Sequence, residues 1–111
     1  MLNPKLLCNK HLVGEHGEIH LHRHIFVKKQ SINGRIHPIV QIEPANMQAR
    51  HNELAEEMIK RGMNHKSPYI QPDIEYLPEN MRNAKVNEKY NVDDLAARCP
   101  QCRIKLYMKV L

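Results

Sequence analysis

Apolar positions in the first quarter of the chain fall at Leu6, Leu7, Leu12, Val13, Ile19, Ile25 and Phe26, a spacing that gathers them on one stripe of a helix. Asn3 can cap that helix with Pro4 at its first position, so the pattern predicts a long helix from about Pro4 to Val27. Gly14 and Gly17 fall inside it, each costing about 1 kcal/mol relative to Ala. Glycines in such places often let a second segment pass close to the backbone. The stretch Ser31-Ile32-Asn33-Gly34 reads as a turn, and Pro38 discourages helix immediately afterwards. A second stripe, Met47, His51, Leu54, Ala55 and Met58, predicts a helix from Pro44 to Arg61, with Gly62 as its stop. Residues 63–91 mix Pro68, Pro72 and Pro78 with Tyr69, Ile70, Ile74, Tyr76 and Leu77, which suits an irregular wrap over a helical core. A short helix from about Val92 to Arg98 follows. With no internal repeat and no low-complexity segment, the expectation is all-α: one compact domain over residues 1–111, a bundle of about three helices with irregular connections.

Charge adds a partner class. Lys and Arg number 17 against 12 Asp and Glu, leaving a net charge of +5 with the eight histidines neutral. That balance favours a polyanion. The excess concentrates in residues 1–40, where Lys5, Lys10, Arg23, Lys28, Lys29 and Arg35 face only Glu15 and Glu18. These six cations are the candidate phosphate contacts. No apolar run is long enough to span a membrane, and the first residues do not read as a secretory leader, so a soluble cytoplasmic protein is expected. Three cysteines, an odd number, fit a reducing compartment better than a disulfide framework.

Three groupings could carry chemistry. His11, Glu15, Glu18 and His22, at spacings of four, three and four, form one polar ridge on the first helix; a solvated outer face would look the same. His16, His20 and His24 follow an i, i+4, i+8 series that can hold a transition metal, but there is no H-E-x-x-H, and a surface stripe of histidines is the plainer reading. Cys99-Pro100-Gln101-Cys102 is half of a zinc ribbon or a redox pair, with Cys8 the remaining thiol. Zinc held with Cys8 and a histidine is one possibility and unligated thiols the preferred one, so no metal and no cofactor is assigned.

Two blocks of sequence add a resemblance. Asn3-Pro4-Lys5-Leu6-Leu7 with His11-Leu12-Val13-Gly14-Glu15-His16-Gly17-Glu18-Ile19-His20 is similar to the opening of the endonuclease V type pyrimidine-dimer DNA glycosylases. Arg50-His51-Asn52-Glu53-Leu54-Ala55-Glu56-Glu57-Met58-Ile59-Lys60-Arg61-Gly62-Met63-Asn64 resembles that family's second long helix. The resemblance implies a small helical bundle, a duplex DNA substrate with damaged pyrimidines, and a monomer. It also implies chemistry at the chain's own terminal amine, here on Met1, which expels the base, holds the sugar as an imine and then acts as an abasic-site lyase. An α-amine, with a pKa of about 7.7–8.0 against about 10.4 for lysine, is partly unprotonated near neutrality. By the same resemblance Glu18 is the essential carboxylate, with His11 and Glu15 beside it. Met1 falls some four or five residues later than the family's terminus, a deficit of about 13–17 Å of extended chain, and Gly17 stands where the phage enzyme has an arginine. The rival readings are a non-catalytic DNA-binding protein on the same scaffold and a zinc-stabilised interaction module.

Overall fold

The apolar run that predicts one helix from Pro4 is interrupted near its start. In the computed structural model, which describes residues 2–65 and 68–108, Asn3 caps a single 3-10 turn, Pro4–Leu6, its side chain accepting from the Lys5 amide at 3.0 Å. Leu7 and Cys8 are then extended, and helix α1 runs Asn9–Val27. Leu2, Pro4, Leu7 and Cys8 are all buried. In a continuous helix, at about 100° per residue, Pro4, Leu7 and Cys8 would share a face but Leu2 would point away from it, so the kinked strap is what buries Leu2 together with the other three.

The strap is held by two arginines of α3 (Met47–Lys60) and the residue after it. Arg61 donates to the carbonyls of Leu7 at 2.8 Å and Pro4 at 3.1 Å, to Asn9 Oδ1 at 2.9 Å, and to Glu57 at 2.8 Å. Arg50 donates Nη1 to the Leu2 carbonyl. Carbonyls in an irregular strap lack the partners a helix supplies, and a guanidinium, with five donors in a fixed fork, satisfies several at once.

α3 ends as its sequence predicts. Gly62 takes φ +81°, its amide bonds to the Ile59 carbonyl at 2.9 Å, and Met63 reaches back to the Met58 carbonyl at 2.9 Å. That pair of bonds is a Schellman motif, which needs the left-handed residue glycine provides.

The expectation of about three helices is corrected to six among the described residues, with no strand. The turn at 31–34 becomes one helical turn, α2 (Asn33–Ile36). The described residues between 63 and 87 are irregular, as expected, apart from α4 (Glu79–Arg82). The C-terminal helix starts earlier than Val92, as α5 (Glu88–Arg98), because the Asn87 side chain accepts from the Tyr90 amide at 3.0 Å and caps it. Cys99 breaks the chain, and α6 (Pro100–Met108) follows. α1 packs along α3, α5 and α6 form a hairpin, and the strap lies against both α3 and α6. Leu12, Ile19 and Phe26 of α1 meet one buried cluster with Leu54, Met58, Leu95 and Leu106. Among the described residues no second segment passes close to Gly14 or Gly17: a Cβ at either would meet nothing within 4 Å. None of the described helices is long and apolar enough to cross a membrane.

Candidate active site

His11, Glu15 and Glu18 recur on one side of α1 because their spacings follow the helical turn, and all three border one cleft of about 370 Å³. Gly14 lies between them and leaves the floor bare. The opposite wall comes from Ile39–Gln41 and from Tyr90, Asn91, Asp94 and Arg98 of α5. The volume falls within the range of about 300–1,000 Å³ typical of ligand sites.

The ridge is not a uniformly solvated face. Glu15 is gripped bidentately by Arg50, Nε to Oε2 at 2.6 Å and Nη2 to Oε1 at 3.0 Å, and Arg50 is only 1% exposed. Glu18 is exposed and makes no hydrogen bond or ion pair among the described residues. His22 is buried, and burial together with the nearby Arg35 charge lowers its pKa to about 4. One ridge therefore holds a paired carboxylate, a free carboxylate and a neutral imidazole.

Arg50 has a second role. Its Nη1 holds the Leu2 carbonyl while its other nitrogens hold Glu15, so the start of the described chain is tied directly to the acidic wall of the cleft. The deficit expected from chain length concerns the Met1 amine. Met1 itself lies outside the described residues.

Residues 1–71 match the family model for pyrimidine dimer DNA glycosylases. The chain belongs to this family. No curated protein and no solved structure matches it. The match takes in α1, α2 and α3, hence Glu15, Glu18 and Arg50, while the α5 wall of the cleft lies beyond it. Membership makes this a DNA-repair glycosylase whose substrate class is DNA carrying pyrimidine dimers.

The six cations predicted to meet phosphate are not equivalent in the glycosylase. Lys5, Lys10, Lys28 and Lys29 are exposed. Arg23 donates Nε to the Ile70 carbonyl at 2.8 Å and lies 5.9 Å from the Tyr69 ring centre, so it pins the 68–72 segment to α1. Arg35 is half-buried.

Behind the cleft wall lies a group that sequence reasoning missed. His16 and His20 of α1 meet His51 of α3 and His65, with His16 Nε2 3.2 Å from His51 Nε2 and 2.8 Å from His65 Nε2. The reading of His16, His20 and His24 as a surface stripe is corrected: His16 is buried, His20 half-buried, and only His24 exposed. Burial and the neighbouring imidazoles lower the His16 pKa to about 4, and burial lowers that of His20. Tyr69 stacks on His51 with ring centres 5.2 Å apart, and burial raises its hydroxyl to about 12. The signal for this group was present: Arg50 and His51 occupy the core-facing stripe of α3, one turn from Met47, where polar residues require partners.

The thiols are also not scattered. Cys8, Cys99 and Cys102 are buried without disulfides, and together with His11 they bring four ligand atoms within 4.8 Å of one another. The four histidines above meet the same criterion.

Proposed function

We propose that the protein excises pyrimidine dimers by imine chemistry and then cleaves the resulting abasic site. The observation that carries the proposal is the Arg50 fork, which links the Leu2 carbonyl to Glu15 at the cleft that also contains Glu18. The terminal amine, on Met1 in this sequence, is one residue upstream of that anchor. Its nitrogen attacks the deoxyribose C1′, the C1′–N bond breaks, and the base leaves with the electron pair and a proton. The sugar ring opens to an imine. Removal of a C2′ proton then breaks the C3′–O bond, and water releases the enzyme.

Glu18 suits two of these steps. A free carboxylate stabilises the cationic sugar and imine more than the neutral substrate, and it can accept the C2′ proton. Glu15, neutralised by Arg50, is a positioning residue, and His11 borders the site. Exposed Lys5, Lys10, Lys28 and Lys29, with Arg23 and Arg35 as partly engaged members, supply the positive field for duplex phosphates.

The test is borohydride trapping on UV-irradiated duplex. An imine becomes a permanent protein–DNA adduct, and peptide mass spectrometry is expected to locate it at the terminal residue. Binding to irradiated duplex without any adduct would replace this reading with that of a non-catalytic DNA-binding protein.

A further inference from the structure

Three thiols and one imidazole converge where the strap meets the α5–α6 hairpin. Cys8 Sγ lies 3.9 Å from Cys99 Sγ and 3.2 Å from His11 Nδ1, and Cys102 Sγ lies 3.4 Å from His11 Nδ1. Zinc bonds of about 2.3 Å to sulfur and about 2.0–2.1 Å to nitrogen give tetrahedral edges of about 3.8 Å between sulfurs and about 3.6 Å between sulfur and nitrogen. The observed edges fit that figure. Disulfide pairing would use two of the thiols and strand the third.

Backbone amides are aimed at the sulfurs. The Cys8 amide donates to Cys102 Sγ at 3.4 Å, and the Cys102 amide to Cys99 Sγ at 3.4 Å. Cys8 is the N-cap of α1 and Cys99 immediately precedes α6, so two helix N-termini face the group. We propose that Cys8, His11, Cys99 and Cys102 form a structural zinc site that fastens the α5–α6 hairpin to the N-terminal strap. All four positions are taken by protein, so the ion is closed to substrate. Two ligands lie within the family match and two beyond residue 71. The ion would thus fix the α5 wall of the cleft against α1, and it assigns His11 a ligand role instead of a proton-transfer role.

Titration of the metal-free full chain with Co²⁺ tests the site. One thiolate-bound equivalent with a sulfur-to-cobalt charge-transfer band is expected, displaced by zinc, lost in Cys99→Ser/Cys102→Ser and lost or weakened in His11→Ala. His11→Cys should restore binding with a stronger band, which distinguishes ligation from packing even if the serine variant fails to fold. No band in a chain with native helical circular dichroism, or an unaltered band in the serine variant, would overturn the proposal.

The histidine group carries a second site on independent grounds. His16 Nε2 meets two other Nε2 atoms, although one ring nitrogen can serve only one in-plane hydrogen bond. His20 Nε2 is buried with no hydrogen-bond partner among the described residues. His51 Nδ1 lies 3.0 Å from Asn52 Oδ1, and its Nε2 lies 3.2 Å from His16 Nε2, on the side of the group. We infer that His16, His20, His51 and His65 hold a borderline divalent ion such as zinc through their imidazoles. The full chain should then take up a second equivalent of Co²⁺ without adding thiolate intensity, and His20→Gln/His65→Gln should lose that equivalent while keeping the charge-transfer band. Saturation of the wild type at its thiolate-bound equivalent alone would exclude this second site.

Discussion

Glu15 and His16 are neighbours in sequence, yet α1 turns them into opposite environments. Glu15 is held by a buried guanidinium that forks onto it, and it sits with Glu18 on an open cleft. His16 points at three other imidazoles, where burial makes the charged form costly and lowers its pKa to about 4. The cleft face thus gathers carboxylates beside the N-terminal strap, and the rear face collects imidazoles. One helix separates a site suited to cationic intermediates from a group suited to ligation. The division depends on which partner α3 presents: Arg50 on one side of its stripe, His51 on the next position.

The sharpest break of this contrast is Arg50→Ala. It leaves Glu15 without its counter-charge and the Leu2 carbonyl without its donor. Removing one partner of a buried pair costs about 3–5 kcal/mol, and urea unfolding should show a loss of that size. A loss below about 1 kcal/mol, the limit for surface ion pairs, would mean that the fork does not organise the strap.

Next is Glu18→Gln, which tests whether the free carboxylate carries the chemistry. Its exposure and lack of partners predict unchanged stability and DNA affinity at least equal to wild type. Single-turnover cleavage of dimer-containing duplex should fall by about 10²–10³, or about 2.7–4 kcal/mol of barrier. Glu15→Gln should lose less rate but more stability, since it weakens the Arg50 fork. Equal rate losses in the two variants would erase the proposed division between positioning and chemistry.

The smallest effect belongs to His24. It shares the i, i+8 spacing with His16 but is exposed, so His24→Ala should shift thermal unfolding by no more than the equivalent of about 0.5 kcal/mol and leave metal uptake unchanged. A larger shift would place His24 with the rear group after all.

Much of this was legible locally. The α3 stripe, its Gly62 stop and the Glu15/Glu18 pairing on one helical face follow from periodicity, and the two resembling blocks pointed to the family that residues 1–71 match. The break at Leu7–Cys8 was not legible, because Leu6 and Leu7 continue an apolar helical pattern and only burial of Leu2, Pro4 and Cys8 forces the kink. Nor was the fate of the polar positions: a ridge of His and Glu has the same spacing whether it faces water, a guanidinium or another imidazole.

The sequence by itself determined the course of α3 and its Gly62 stop, which residues share a face, and which repair family supplies the scaffold, since each depends on near neighbours or on continuous motifs. Only the tertiary structure decided what those faces meet. Arg50 reaches Glu15 across 35 positions and Leu2 across 48, His16 reaches His65 across 49, and Cys8 reaches Cys99 across 91. Helical periodicity fixes the direction of a side chain relative to its own axis and carries no information about the axis packed against it. The pairing of Glu15, the lowered pKa of His16 and the meeting of the three thiols are therefore properties of the packing, set when α3 and the α5–α6 hairpin close on the N-terminal strap and α1.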